Sequence, residues 1–255
     1  MVKGVEIFRT FFKGFTDNYI LIGGAACDEH LTEVGLAFRA TKDLDIILIV
    51  EALSSEFVKK FWEFVRDGNY KNRQKSTGER KYYRFYDPED EDYPAQLELF
   101  ARNPDILDLA EESHLTPIPA DEDLSSLSAI LMDDDYYHFT KENSRVEDNL
   151  HCANTTTLIC LKAKAFLDLR ARKEKGENID ERNIRKHKND VVRIAALLTA
   201  EDSLKLPDAI KTDMQDFIGI LQSDPPDYRA IGKSMGAGAL NEKEIIDQVI
   251  QTFSL

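Results

Sequence analysis

The sequence predicts an α/β (α+β) chain, with an α/β layer over residues 1–150 and a helical domain over residues 151–255. Three observations predict it. Residues 19–51 run from an apolar strand through a Gly-Gly turn and a helix-like stretch into a second apolar strand. Residues 80–86 and 95–101 read as two further strands, and from residue 155 apolar positions recur at helical spacing.

Taken in order, Val5, Phe8, Phe12 and Phe15 are spaced for one face of a leading amphipathic helix over residues 2–16. The first strand covers 19–22, and Gly23-Gly24 opens a helix reaching about residue 38. The second strand covers 43–50. A helix over 54–66 carries Phe57, Phe61 and Phe64 on one stripe and stops at Asp67-Gly68-Asn69. The acidic loop DPEDEDYP joins 80–86 to 95–101 as a hairpin. Between 103 and 149 the pattern is weak: prolines 117 and 119 deny a long helix, and SSLSAILM and DYYHF fit short strands or a strand and a helix. Helices are expected over 155–172, 180–198, 207–221 and 241–253.

With 255 residues and 42% hydrophobic content the chain can bury a sizeable core. No run approaches the roughly 18 apolar residues of a membrane span, and Lys3, Glu6, Arg9 and Lys13 interrupt the start where a signal peptide needs apolar residues. The expectation is a cytoplasmic protein with no membrane partner. Cys27, Cys152 and Cys160 form no CxxC pair and are odd in number, which predicts reduced, structural thiols. The net charge of −14 excludes nonspecific coating of nucleic acid. Charge is uneven: residues 162–188 hold ten Lys and Arg against five acids, a net of +5, which leaves −19 on the rest of the chain.

Candidate chemistry centres on Asp43 and Asp45. Side chains alternate along a strand, so these carboxylates share a face while Leu44 and Ile46 take the other. Their mutual repulsion is relieved by a divalent cation, and a hard ion held by carboxylate and phosphate oxygens is how Mg²⁺ is usually bound. The alternative is strand-edge charge facing water. In QLELF, Gln96, Glu98 and Phe100 share one face and Leu97 and Leu99 the other, so Glu98 turns away from the apolar layer. Gly23-Gly24 allows a tight strand-to-helix turn, and N–H groups at a helix start attract anions. It is neither a dinucleotide fingerprint nor a P-loop. No metal spacing links the five histidines.

These residues resemble the DNA polymerase β-like nucleotidyltransferases and, within them, the AbiEii-type abortive-infection toxins of bacterial toxin–antitoxin systems. The family pattern is an apolar strand, Gly-Gly, a helix, and then an aspartate, an apolar residue and an acid on the next strand. Gly23, Gly24, Asp43, Leu44 and Asp45 occupy those positions, and Arg39 and Thr41 match the Arg and Thr that precede the first aspartate in AbiEii-type members. Two departures stand out. Ala25 replaces a frequent Ser or Thr, and 18 residues separate Gly24 from Asp43.

The resemblance implies a mixed sheet with flanking helices and a helical C-terminal domain. It implies Mg²⁺ (or Mn²⁺) held by Asp43, Asp45 and Glu98, and a nucleoside triphosphate steadied by Gly23, Gly24, Arg39 and Thr41. Lys162 or Lys164 and the Lys188–Asp190 pair resemble the signatures of the helical half, which the resemblance likewise assigns to nucleotide binding. The implied reaction moves a nucleoside monophosphate to an acceptor hydroxyl on RNA or protein, under restraint by an antitoxin protein. Two other functions fit these residues: a small-molecule nucleotidyltransferase acting on an antibiotic or sugar phosphate, and a non-catalytic nucleotide-binding scaffold, at which Ala25 hints.

Overall fold

Four large apolar residues in a row make β1 (Tyr19–Ile22), which is buried on both faces. In β2 (Asp43–Leu48) the same run of branched residues follows the two acidic positions. Further strands are β3 (Lys71–Thr77), β4 (Arg80–Tyr86), β5 (Gln96–Ala101), β6 (Ser144–Glu147) and β7 (Leu150–Ala153). The computed structural model describes residues 2–49, 52, 54–77, 80–101 and 133–255. Among these, the strands form one sheet in the order β3-β4-β5-β2-β1-β7-β6. It is mixed: β2 runs parallel to β5 and β1 to β7, while the other neighbours are antiparallel.

Two helices cover one face of the sheet. Gly4, at φ 84, starts α1 (Val5–Phe11). The helix expected over 2–16 ends there, because Gly14 takes φ 90 and a three-residue 3₁₀ turn, Thr16–Asn18, leads into β1. Next is α2 (Gly23–Glu33), followed by α3 (Ser55–Asp67), whose N-cap Ser54 accepts a hydrogen bond from Phe57 N–H at 3.1 Å. Phe8 of α1 meets Tyr19 edge-on at 5.1 Å, and Phe61 and Trp62 of α3 meet Phe85 of β4 at 5.4 and 5.8 Å. Tyr19, Leu44, Ile46, Leu48, Phe85, Leu97 and Leu99 share that face by register, and all are buried.

The chain is shorter in helix than expected after the Gly-Gly turn. Instead of reaching residue 38, α2 stops at Glu33. Gly35, at φ 75, donates to Thr32 C=O, and Leu36 N–H donates back to Leu31 C=O, both at 2.9 Å. This Schellman closure uses glycine because the left-handed position costs it nothing.

The expected hairpin of 80–86 with 95–101 is present as β4 and β5, while β3 extends it by a strand that the polar sequence KNRQKST does not advertise. The prolines at 117 and 119 and the SSLSAILM stretch lie outside the described residues. DYYHF falls within α4 (Asp134–Glu142), capped by Asp133. The β6–β7 hairpin was not expected. Its two-residue loop is Asp148-Asn149, both at positive φ (47 and 59), the geometry that two-residue hairpins of this type require.

The chain forms two compact units. The sheet with α1 and α3 is one, and the other takes in Cys27–Arg39, α4 and Asn154–Leu255. The second unit is helical: α5 (Thr155–Glu174), α6 (Glu181–Ala195), α7 (Asp208–Ser223), α8 (Tyr228–Met235) and α9 (Glu242–Phe253). Only α8 lacks a counterpart in the sequence reading. Leu158 to Ala163 of α5 are buried without a break, and Phe166 meets Phe217 of α7 edge-on at 5.5 Å. Cys27, Cys152 and Cys160 are thiols outside any disulfide, and all three are buried. Among the described residues no helix is long and apolar enough to cross a membrane.

Phe12 follows α1 and is fully buried among Phe8, Tyr19, Phe57, Phe61 and Phe64. Phe12→Ala is expected to destabilise the sheet unit by about 3–5 kcal/mol, read as a lower urea midpoint. A loss below about 1 kcal/mol would mean that the aromatic layer collapses around the vacancy.

Candidate functional site

The sheet unit brings six of the sequence-predicted residues together. Opposite partners across β1, β2, β5 and β4 are Ile22, Asp45, Glu98 and Arg84, in a single row. Asp43 lies one pleat along β2 on the same face, opposite Gln96. Asp45 and Glu98 are 8% and 7% exposed, so these are buried carboxylates. Asp43 is half-buried.

Gly23 and Gly24 make room for this row. Gly23 has φ 69, and a Cβ there would stand 1.8 Å from Asp45 Oδ2. A Cβ on Gly24 would stand 2.6 Å from Thr41 Oγ1. Each glycine is therefore required by a side chain that the sequence had singled out. Gly23 is also the first residue of α2, so Asp45 sits at the partially positive start of that helix. Ala25, directly after Gly24, is fully buried and its methyl belongs to the core.

Glu98 carries further contacts. Its Oε1 accepts from Arg84 Nε at 3.0 Å and from Gln96 Nε2 at 2.9 Å, and it ion-pairs with Arg84 Nη2 at 3.0 Å. These contacts leave Oε2 aside. Arg84 and Gln96 were not singled out from sequence, although the hairpin register, once known, sets Arg84 opposite Glu98.

For a hard cation the donor set is partly present. Among the described residues no group of three His, Cys, Asp or Glu side chains stands ready to hold a metal alone. Two aspartates on one face nevertheless suit Mg²⁺, which is usually held by one or two carboxylates together with substrate phosphates and water rather than by an all-protein cage. The residues fit such an ion on that condition.

Arg39, Lys162 and Asp190 are brought together separately, within the helical unit. Asp190 is fully buried, and Arg39 grips it with Nε at 2.9 Å to Oδ1 and Nη2 at 2.8 Å to Oδ2. Arg193, three residues along α6, donates to it at 3.1 Å, and Lys162 Nζ stands 3.7 Å away. A buried carboxylate survives only with such compensation. Lys162 is itself 2% exposed. Burial first, and then the cations Lys162, Lys186 and Arg39, hold the neighbouring His187 imidazole well below the ordinary histidine range.

Lys164 and Lys188 stand apart from that cluster. Lys164 donates to Asp213 at 2.9 Å, which also accepts from Tyr136 OH at 2.9 Å. Lys188 donates to Asp224 Oδ2 at 2.6 Å and to its carbonyl at 2.7 Å, holding that carboxyl below its ordinary range. An open groove of about 500 Å³ beside Lys188 is lined by Phe166, Arg170, Lys173 and Arg185. Much of the basic segment is paired: Arg170 bonds Glu174 at 3.0 Å and Lys173 bonds Glu181.

No family model matches the chain, and no curated protein matches it. Among solved structures it is similar to an antigenic nucleotidyltransferase-like protein from Paracoccidioides brasiliensis, at 12% identity over 95% of this chain and 97% of that one, with a TM-score of 0.41.

Gly23→Ala places a methyl on the Asp45 carboxylate and forces a left-handed backbone on alanine. We expect a loss of about 1–3 kcal/mol in urea unfolding, and wild-type stability would contradict the close approach. His187 yields a pH test. Its folded pKa lies below the unfolded value, so its contribution is complete above the unfolded pKa of about 6.5 and is lost as pH falls below it. His187→Gln should remove up to about 1.4 kcal/mol per pH unit of acid sensitivity in that window, measured by urea unfolding between pH 7 and 5. Parallel curves for the two proteins would contradict a buried neutral ring.

Proposed function

We propose that the chain transfers a nucleoside monophosphate from a nucleoside triphosphate to an acceptor hydroxyl, using Mg²⁺ or Mn²⁺ at Asp43 and Asp45. The observation that carries this reading is the seating of Asp45 against Gly23, in register with Glu98. Two glycines are given up to bring acidic and polar side chains against a helix start, an arrangement that a solvated strand edge does not need.

In this reading Asp43 and Asp45 supply the carboxylate oxygens of the metal site. A cation bound there neutralises the triphosphate and polarises the reacting phosphoryl group. Thr41 Oγ1 and the N–H groups at the start of α2 steady phosphate oxygens. Glu98, fixed through Oε1 by Arg84 and Gln96, offers Oε2 to the metal or to the acceptor hydroxyl, whose proton it takes. The acceptor oxygen forms its bond to the α-phosphorus as the bond to the pyrophosphate oxygen breaks. Preorganised charge around the transferring phosphorus is the main catalytic effect. In the helical unit, Lys162 is the cation best suited to a further anion, because its contact with Asp190 is longer than a hydrogen bond. Arg39, Lys164, Lys188 and Asp190 act in this reading by holding that unit's ion pairs. An RNA end or a protein as acceptor, and an antitoxin as partner, follow from the AbiEii-type resemblance and belong to the same proposal.

Asp43→Asn and Asp45→Asn are each expected to reduce transfer of label from α-labelled triphosphate, in Mg²⁺ and total RNA or protein, by at least about 10²-fold, with folding intact. Easing the repulsion between the two carboxylates leaves stability equal or slightly higher. Wild-type transfer by both variants would remove the proposed site.

A further inference from the structure

Outside the carboxylate row, the β6–β7 hairpin carries a second arrangement with chemical potential. Ser144 Oγ lies 2.8 Å from His151 Nε2, and His151 Nδ1 lies 2.8 Å from the carbonyl of Thr16. A carbonyl oxygen can only accept, so Nδ1 carries the proton of that bond. In the neutral ring Nε2 is then the bare nitrogen, and the Ser144 hydroxyl donates to it. Burial holds the His151 pKa below the ordinary histidine range, so the ring is neutral at pH 7. Both residues are half-buried, which leaves the hydroxyl within reach of small molecules.

The register explains why the pair meets. Ser144 is opposite Ala153 and His151 is opposite Val146, so the two side chains are diagonal neighbours on one face of the hairpin. The Asp148-Asn149 turn fixes that register, and the Thr16 carbonyl fixes the ring. Nucleophile, base and orienting acceptor are in hydrogen-bond contact, as an activated serine requires. When the imidazole gains a proton, the Thr16 carbonyl and the Asp17 carboxylate both favour the cation.

We propose that Ser144 and His151 form a second reactive centre, at which the Ser144 hydroxyl attacks a small activated carboxylic ester. Ser144 Oγ bonds to the ester carbonyl carbon while its proton passes to His151 Nε2. The bond from that carbon to the leaving oxygen breaks, and the departing alcohol takes the proton back. Water, deprotonated by the same nitrogen, then releases the acid and restores Ser144. The reaction needs neither metal nor triphosphate and is independent of the nucleotidyl-transfer reading.

The probe is 4-nitrophenyl acetate with the full chain at pH 7.5, followed by nitrophenolate release and by peptide mapping of the acetyl group. The expected result is a burst near one equivalent with acetyl on Ser144, absent in Ser144→Ala and slowed by about 10²-fold or more in His151→Gln. Acetyl found only on lysines, with equal rates in all three proteins, overturns the proposal. A second measurement needs no variant: a fluorophosphonate probe should modify Ser144 of the folded chain, and should lose that selectivity in urea. Labelling of Ser144 no faster when folded than when unfolded also overturns it.

Discussion

The placement of β2 between β1 and β5 is the constraint on which the candidate site depends. A one-residue slip would turn every side chain of β2 to the other face, sending Asp43 and Asp45 into the aromatic layer and Leu44 and Ile46 out of it. The aromatic layer forbids that slip. Leu44, Ile46 and Leu48 are buried on the face that also carries Tyr19 and Phe85, which meet Phe8, Phe61 and Trp62, and each such side chain contributes about 1.5–3 kcal/mol by leaving water. Burial of the apolar face thus decides where the two carboxylates point, and Gly23 decides how closely the start of α2 can approach them.

The helical unit is organised by a different interaction. Asp190, buried and shared by Arg39, Arg193 and Lys162, ties the segment just before β2 to α5 and α6. The two-pronged Arg39 contact is the geometry in which a guanidinium binds a carboxylate best. Truncating one partner of such a cluster leaves buried charge uncompensated, which typically costs about 3–5 kcal/mol. The residues that the resemblance assigns to nucleotide binding thereby also have a structural role, and Lys162 is the one whose ammonium is least committed.

Most of the architecture was legible because its signals are local. Periodicity located α3, α5, α6, α7 and α9, and alternation in QLELF put Glu98 on the face opposite Leu97. Other parts depended on signals of another kind. The strand β3 has no apolar residues and exists through backbone pairing to β4. The β6–β7 hairpin is announced only by Asp148-Asn149, a turn pair less familiar than Asn-Gly. The early stop of α2 was written in Gly35, but the apolar Leu36, Ala37 and Phe38 beyond it extend a helical pattern that the backbone does not follow. For the site, sequence placed Asp43, Asp45 and Gly23 in order and set Gln96 on the face of Glu98, while Arg84 needed the fold, because it reaches its carboxylate through a hairpin register that pattern alone does not reveal.

The most direct test of the account is whether Asp43 and Asp45 hold a metal jointly with a triphosphate. Mn²⁺ binding, followed by its paramagnetic resonance signal, should tighten by at least about 10-fold when a nonhydrolysable triphosphate is added to the wild-type chain, and Asp43→Asn with Asp45→Asn should abolish that enhancement. Equal Mn²⁺ affinity in the wild type and the double variant, with and without triphosphate, would contradict the account and leave the two aspartates without a metal-binding role.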